Sequence, residues 1–147
     1  MTKEILLALK GLQLENGEGG QELETITAAD YYLKNGSHYV LYEEVTEGFD
    51  DVTKNMIKFK DDCFEVTKRG LVNVHMVFEE NKKNMTSYMT PFGNILIGID
   101  TGAVSVEEEE KQIKVHVDYT LEANYQYLAD CKIEMTICPR EEGMRLF

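Results

Sequence analysis

The chain has 147 residues, 43 % of them apolar and 29 % charged, which suits one ordinary domain with its own core and excludes a disordered chain. A formal net charge of −12 opposes the phosphate-driven part of nucleic-acid binding and docking on an anionic membrane leaflet. The early apolar run over 5–9 is too short for a signal-peptide core or a bilayer span, so the expectation is a single cytoplasmic domain over 1–147.

Period-2 alternation dominates, and helical periodicity is nearly absent. Ile5, Leu7 and Leu9 open a first strand, and the glycines of 17–20 supply a turn. A second strand over 22–33 runs into Asn35-Gly36, the strongest short hairpin signal in the chain. The third covers 38–45, a loop holds Gly48, Asp50 and Asp51, and the fourth covers 54–59. Asp61-Asp62 turns into a fifth strand over 63–68, and Arg69-Gly70 turns into a sixth over 72–78. Residues 81–84 lead to a seventh over 85–90, and the eighth spans 95–106 with Gly98 and Gly102 as bulges or bends. The acidic run Glu107 to Glu110 reads as a solvated loop before the last hairpin, 113–121 and 127–137.

Ten short-looped strands leave no room for the crossover helices that parallel pairing needs. The fold class is therefore all-β: an antiparallel up-and-down meander of about eight to ten strands, hiding its edges best by closing into a barrel. A two-sheet sandwich is the alternative. The three cysteines, Cys63, Cys131 and Cys138, are an odd set without paired spacing, so buried thiols in a reducing compartment are expected.

Two segments carry a resemblance. Lys68-Arg69-Gly70-Leu71-Val72 precedes a strand ending Met76-Val77-Phe78-Glu79; Tyr88-Met89-Thr90-Pro91-Phe92-Gly93 then opens the strand before Asp100-Thr101. With the closing hairpin around Val117-Asp118-Tyr119, this order resembles the DUF1934 family from about Ile5 to Ile137. The resemblance implies a bacterial calycin-like (lipocalin-type) barrel of unknown function, with no catalytic residues to carry over. The chain has no tryptophan and so lacks the Gly-x-Trp signature of lipocalins proper.

Motifs with chemistry are missing. His38, His75 and His116 form no metal-ligand spacing, and no Gly-x-Ser-x-Gly or phosphate loop is present. His116 shares a strand face with Lys114 and Asp118 and reads as exposed. Cys131 falls on an apolar face, and Cys63 follows Asp61-Asp62, so neither is placed to be a thiolate. No catalytic residue, metal or cofactor is expected, and the chain does not read as an enzyme. The remaining candidates are polar groups at a lumen or rim: Arg69, Asn73, His75, Tyr88, Thr90 and Tyr119. His75 and Asn73 contribute only if the polar face of their strand looks inward. These residues frame the leading expectation, a small, partly apolar ligand held in the barrel. The alternative is an acidic interaction module with a packed barrel and a basic partner, and an enzyme without recognisable motifs ranks last.

Overall fold

A computed structural model describes residues 1–11 and 24–141. The expected turn at 17–20 and the start of the second strand at 22–23 lie outside the described residues. Ten strands follow in order: β1 (Glu4–Lys10), β2 (Glu24–Lys34), β3 (Ser37–Val45), β4 (Val52–Lys60), β5 (Cys63–Arg69), β6 (Val74–Glu79), β7 (Lys82–Thr90), β8 (Gly93–Glu108), β9 (Ile113–Ala123) and β10 (Gln126–Pro139). All pair antiparallel in one sheet, ordered β6-β5-β4-β3-β2-β1-β10-β9-β8-β7.

Alternation decides which face is buried. On β9, Ile113, Val115, Val117, Tyr119 and Leu121 are buried, while Lys114, Asp118 and their like face out. The other strands repeat this, and their inward residues form one apolar core from β1 to β10. The turns obey local chemistry. Asn35 and Gly36 both take positive φ (52° and 79°), as a two-residue primed turn requires.

Some boundaries move. β7 begins at Lys82, because the turn is completed by Glu80 and by Asn81 in the left-handed region. β8 extends through Glu107 and Glu108, which pair with Lys114 and Ile113, so the acidic run supplies strand as well as turn. Gly102 lies at a real register shift between Thr101 and Ala103. Gly98 does not: it pairs regularly with Met85 and Glu122, and a Cβ there would meet the Met85 sulfur at 2.9 Å.

Two interruptions break the wall. Between β6 and β7, consecutive in sequence, the ladder reduces to an isolated bridge in which Asn73 and Met89 exchange main-chain hydrogen bonds of 2.9 and 3.0 Å. The Asn84 side-chain amide donates to the Val77 carbonyl at 3.2 Å and spans the rest of this seam. The barrel is thus nearly closed. The second interruption is a fork. β2 and β3 pair only from Asp30 opposite Leu41 to Lys34 opposite Ser37, while the preceding part of β2 stays with β1.

Candidate functional site

The registers of β3, β4, β5 and β6 stack inward side chains into rows. At the floor, His38, Phe59, Phe64 and Phe78 lie side by side. Above them come Val40, Ile57, Val66 and Met76, the first three at 0 % exposure. A side chain with no accessible area borders no void large enough for water, so this level of the lumen is filled. The next row changes character: Tyr42, Asn55, Lys68 and Val74. Nearer the mouth, Glu44 stands opposite Thr53.

Those polar residues converge. Lys68 Nζ donates to Glu44 Oε1 at 2.6 Å and to Asn55 Oδ1 at 2.9 Å. Asn55, 2 % exposed, donates in turn to the Thr53 carbonyl at 3.3 Å. Holding a cation and a carboxylate inside a barrel costs hydration, and these hydrogen bonds offset it. Tyr42, 7 % exposed, ends the row without a hydrogen-bond partner among the described residues. Burial, then the Glu44 charge, pushes its phenol well above the ordinary tyrosine range.

Tyr42 faces the fork. There the small Ala28 and Ala29 of β2 diverge from β3, and a cleft of about 590 Å³ opens between Asp30, Leu41, Tyr42, Glu43, Lys54, Asn55 and Arg140. The cleft connects the exterior to the buried polar row. Its donors and acceptors can orient a small molecule, and Leu41 and the alanines give it an apolar side.

The six residues singled out by sequence divide. Tyr88 and Tyr119 are buried on the inward face, while the half-buried Thr90 clamps the β7–β8 turn, its hydroxyl donating to the Gly93 carbonyl at 2.9 Å and accepting from Phe92 N at 3.1 Å. Tyr119 packs edge-on to Phe78 at 4.9 Å, and its hydroxyl donates to the Gly11 carbonyl at 3.3 Å. Burial raises its pKa first, and Cys131 adds to the rise. Arg69, Asn73 and His75 do not face the lumen. Val74, Met76 and Phe78 bury the apolar face of β6, which turns His75 to solvent, where it meets Glu65 at 3.1 Å. Asn73 instead clamps the β5–β6 turn, its amide donating to the Gly70 carbonyl at 2.8 Å and its side-chain oxygen accepting from Gly70 N. The polar side chains that converge at the mouth are Tyr42, Glu44, Asn55 and Lys68, which sequence reasoning passed over. The signal was present: extending the alternation Phe64, Val66 by two residues puts Lys68 inside, and Phe59, Ile57 leads back to Asn55.

The floor holds a second polar arrangement. The His38 ring stacks on Phe59 at 4.6 Å and bonds the Tyr31 hydroxyl at 2.7 Å and Glu108 at 2.8 Å. A carboxylate only accepts, so the ring donates from Nε2 to Glu108. The three residues tie β2 and β3 to β8 across the floor. Burial and then Glu108 raise the Tyr31 pKa.

The thiols fit this picture. Burial first, then Glu65, Glu79 and Asp62, pushes Cys63 up; burial likewise raises Cys131, offset in part by the neighbouring Tyr119 hydroxyl. His116 is half-exposed and meets Asp118 at 2.8 Å. Among the described residues, no three His, Cys, Asp or Glu side chains are grouped to hold a metal ion. No helix among them is long and apolar enough to cross a membrane.

A ten-stranded antiparallel barrel with a filled centre and a polar mouth is the class these features define, and it is calycin-like. The profile of the family described as "Domain of unknown function (DUF1934)" matches residues 7–135, and the chain belongs to that family. The crystal structure of the YwiB protein from Bacillus subtilis is similar in fold, with a TM-score of 0.76 at 17 % identity over 93 % of this chain and 92 % of that one. Comparison with curated proteins gives no match.

Proposed function

We propose that the protein binds a small, partly apolar molecule at the fork between β2 and β3, with Tyr42 and the Lys68–Asn55–Glu44 row as its polar end. The observation that carries this reading is Tyr42, a buried side chain that lines a cleft leading in from solvent and whose hydroxyl has no hydrogen-bond partner among the described residues. A hydroxyl with a donor and an acceptor to spare at the inner end of a cleft can be completed by a ligand atom in place of water. Polar groups at the end of a cleft and apolar groups along its side are the usual division of labour in small-molecule sites. Tyr88, facing inward from the opposite wall, and Thr90 at the β7–β8 turn belong to the same reading as rim contacts. Because Lys68 is already engaged by Glu44 and Asn55, the reading is binding without chemistry, in a cytoplasmic protein.

Native mass spectrometry of the full chain purified from its host tests the proposal. A bound mass on the wild type that is lost from a Tyr42→Phe, Lys68→Met double variant is the expected result. A bound mass retained by that variant, or none on the wild type, rules the fork out as the site.

A further inference from the structure

The two ends of the barrel differ in chemistry. At one end the described turns are Asn35-Gly36, Asp61-Asp62, Glu80-Asn81 and residues 109–112, polar throughout. That is what solvent-facing turns normally look like. At the other end, each described connection carries an apolar side chain: Phe49 between β3 and β4, Leu71 between β5 and β6, Phe92 between β7 and β8, Tyr125 between β9 and β10. Phe92 is 90 % exposed and Tyr125 75 %, and Tyr127 and Leu128 continue the apolar surface along β10.

Tyr125 is also held in an unfavourable conformation. Asn124 and Tyr125 take φ of 51° and 67°, both left-handed, in a two-residue turn whose second place suits glycine. An exposed aromatic ring there serves neither the turn nor the core formed by the described residues. Around Phe49 stand Glu47, Asp50 and Asp51, on a molecule of net charge −12. These acids repel an anionic lipid surface, and two copies meeting end to end bring the same acids together.

We propose that this end is a docking surface for a protein that presents an apolar face bordered by Lys and Arg side chains. Phe92 and Tyr125 are its anchors, and Glu47, Asp50 and Asp51 select the charge of the partner.

Calorimetric titration of the full chain with a synthetic amphipathic Leu/Lys helical peptide, and with its Leu/Glu counterpart, tests this. Expected is binding of the Leu/Lys peptide only, weakened at least tenfold by Phe92→Ser with Tyr125→Gly and several-fold by Glu47→Gln, Asp50→Asn and Asp51→Asn together. Glycine suits the left-handed position, so the first variant should melt no lower than wild type; Phe92→Ser alone is the reserve should it not fold. Unchanged affinity in the aromatic variant, or equal binding of both peptides, overturns the proposal. So does wild-type self-association in sedimentation that the aromatic variant abolishes, because the occupant is then a second copy. Co-sedimentation with phosphatidylcholine vesicles, lost in the same variant, would assign the surface to lipid instead.

Discussion

Lys68 on β5 reaches past β4 to Glu44 on β3, ammonium to carboxylate at 2.6 Å, yet the two are unequally placed: the Lys68 side chain is 12 % exposed and that of Glu44 36 %. The two substitutions should therefore destabilise by different routes. Glu44→Ala strands a buried ammonium on Asn55 alone and is expected to cost about 1–3 kcal/mol. Lys68→Met leaves a carboxylate that can turn to water but takes the donor from the buried Asn55 Oδ1, also for about 1–3 kcal/mol. Urea unfolding of both variants decides this, and a loss under about 0.5 kcal/mol in either would contradict the network.

Alkaline pH should destabilise the fold through Tyr42 and Tyr119. Burial raises both phenols above the range they have in the unfolded chain. Their contribution is unaffected below the ordinary tyrosine value near 10 and falls above it, because the unfolded chain ionises while the folded one still holds its protons; the raised thiols of Cys63 and Cys131 add a loss of the same sign that begins lower, near the ordinary thiol value. The slope should approach roughly 1.4 kcal/mol per pH unit for each tyrosine. Unfolding free energies between pH 9 and 12 measure it, and Tyr42→Phe should remove about half of the two-tyrosine slope.

Phe78 is fully buried between Phe64 and Tyr119, at ring distances of 5.8 and 4.9 Å. If the lumen is as tightly filled here as the exposure values say, Phe78→Ala should cost about 3–5 kcal/mol, transfer and cavity terms together. A loss under about 1 kcal/mol in the urea midpoint would mean that empty space already adjoins the ring.

Gly70 and Gly36 offer a contrast. Both have positive φ, 149° and 79°, but a Cβ on Gly70 would meet the Val52 carbonyl oxygen at 2.4 Å and the Thr53 Cα at 2.7 Å, whereas one on Gly36 would meet nothing within 4 Å. Gly36→Ala should therefore cost only the left-handed penalty of about 1–2 kcal/mol. Gly70→Ala has to push β4 backbone aside as well and should cost more than Gly36→Ala. Thermal melts of the pair, with Gly36→Ala the lower, would refute the close approach.

The strand alternation made the architecture legible, because burial of one face imposes a period of two that no helix mimics. What it could not supply was the inward side of β6. Asn73, His75 and Val77 against Val74, Met76 and Phe78 is a choice settled by packing: the larger apolar set wins the core, and His75 goes to Glu65. The pattern, extended, puts Asn55 and Lys68 inside, but it did not mark them with Glu44 as a group, since a polar residue at an inward position reads locally as the end of a strand. Only the cross-strand register, which brings residues 44, 55 and 68 together, makes them a site. The fork is equally invisible in sequence, because it depends on where the pairing of β2 with β3 stops.

The seam between β6 and β7 has a consequence for connectivity. The first and last strands, β1 and β10, are zipped together from Ile5 opposite Pro139 to Lys10 opposite Glu134. The hydrogen-bonded sheet ends instead in the middle of the chain, on either side of the Glu80-Asn81 turn. A circular permutant cut at that turn and linked from beyond Pro139 to before Glu4 would retain every paired neighbour in the sheet, and its new termini would coincide with the sheet's own edges.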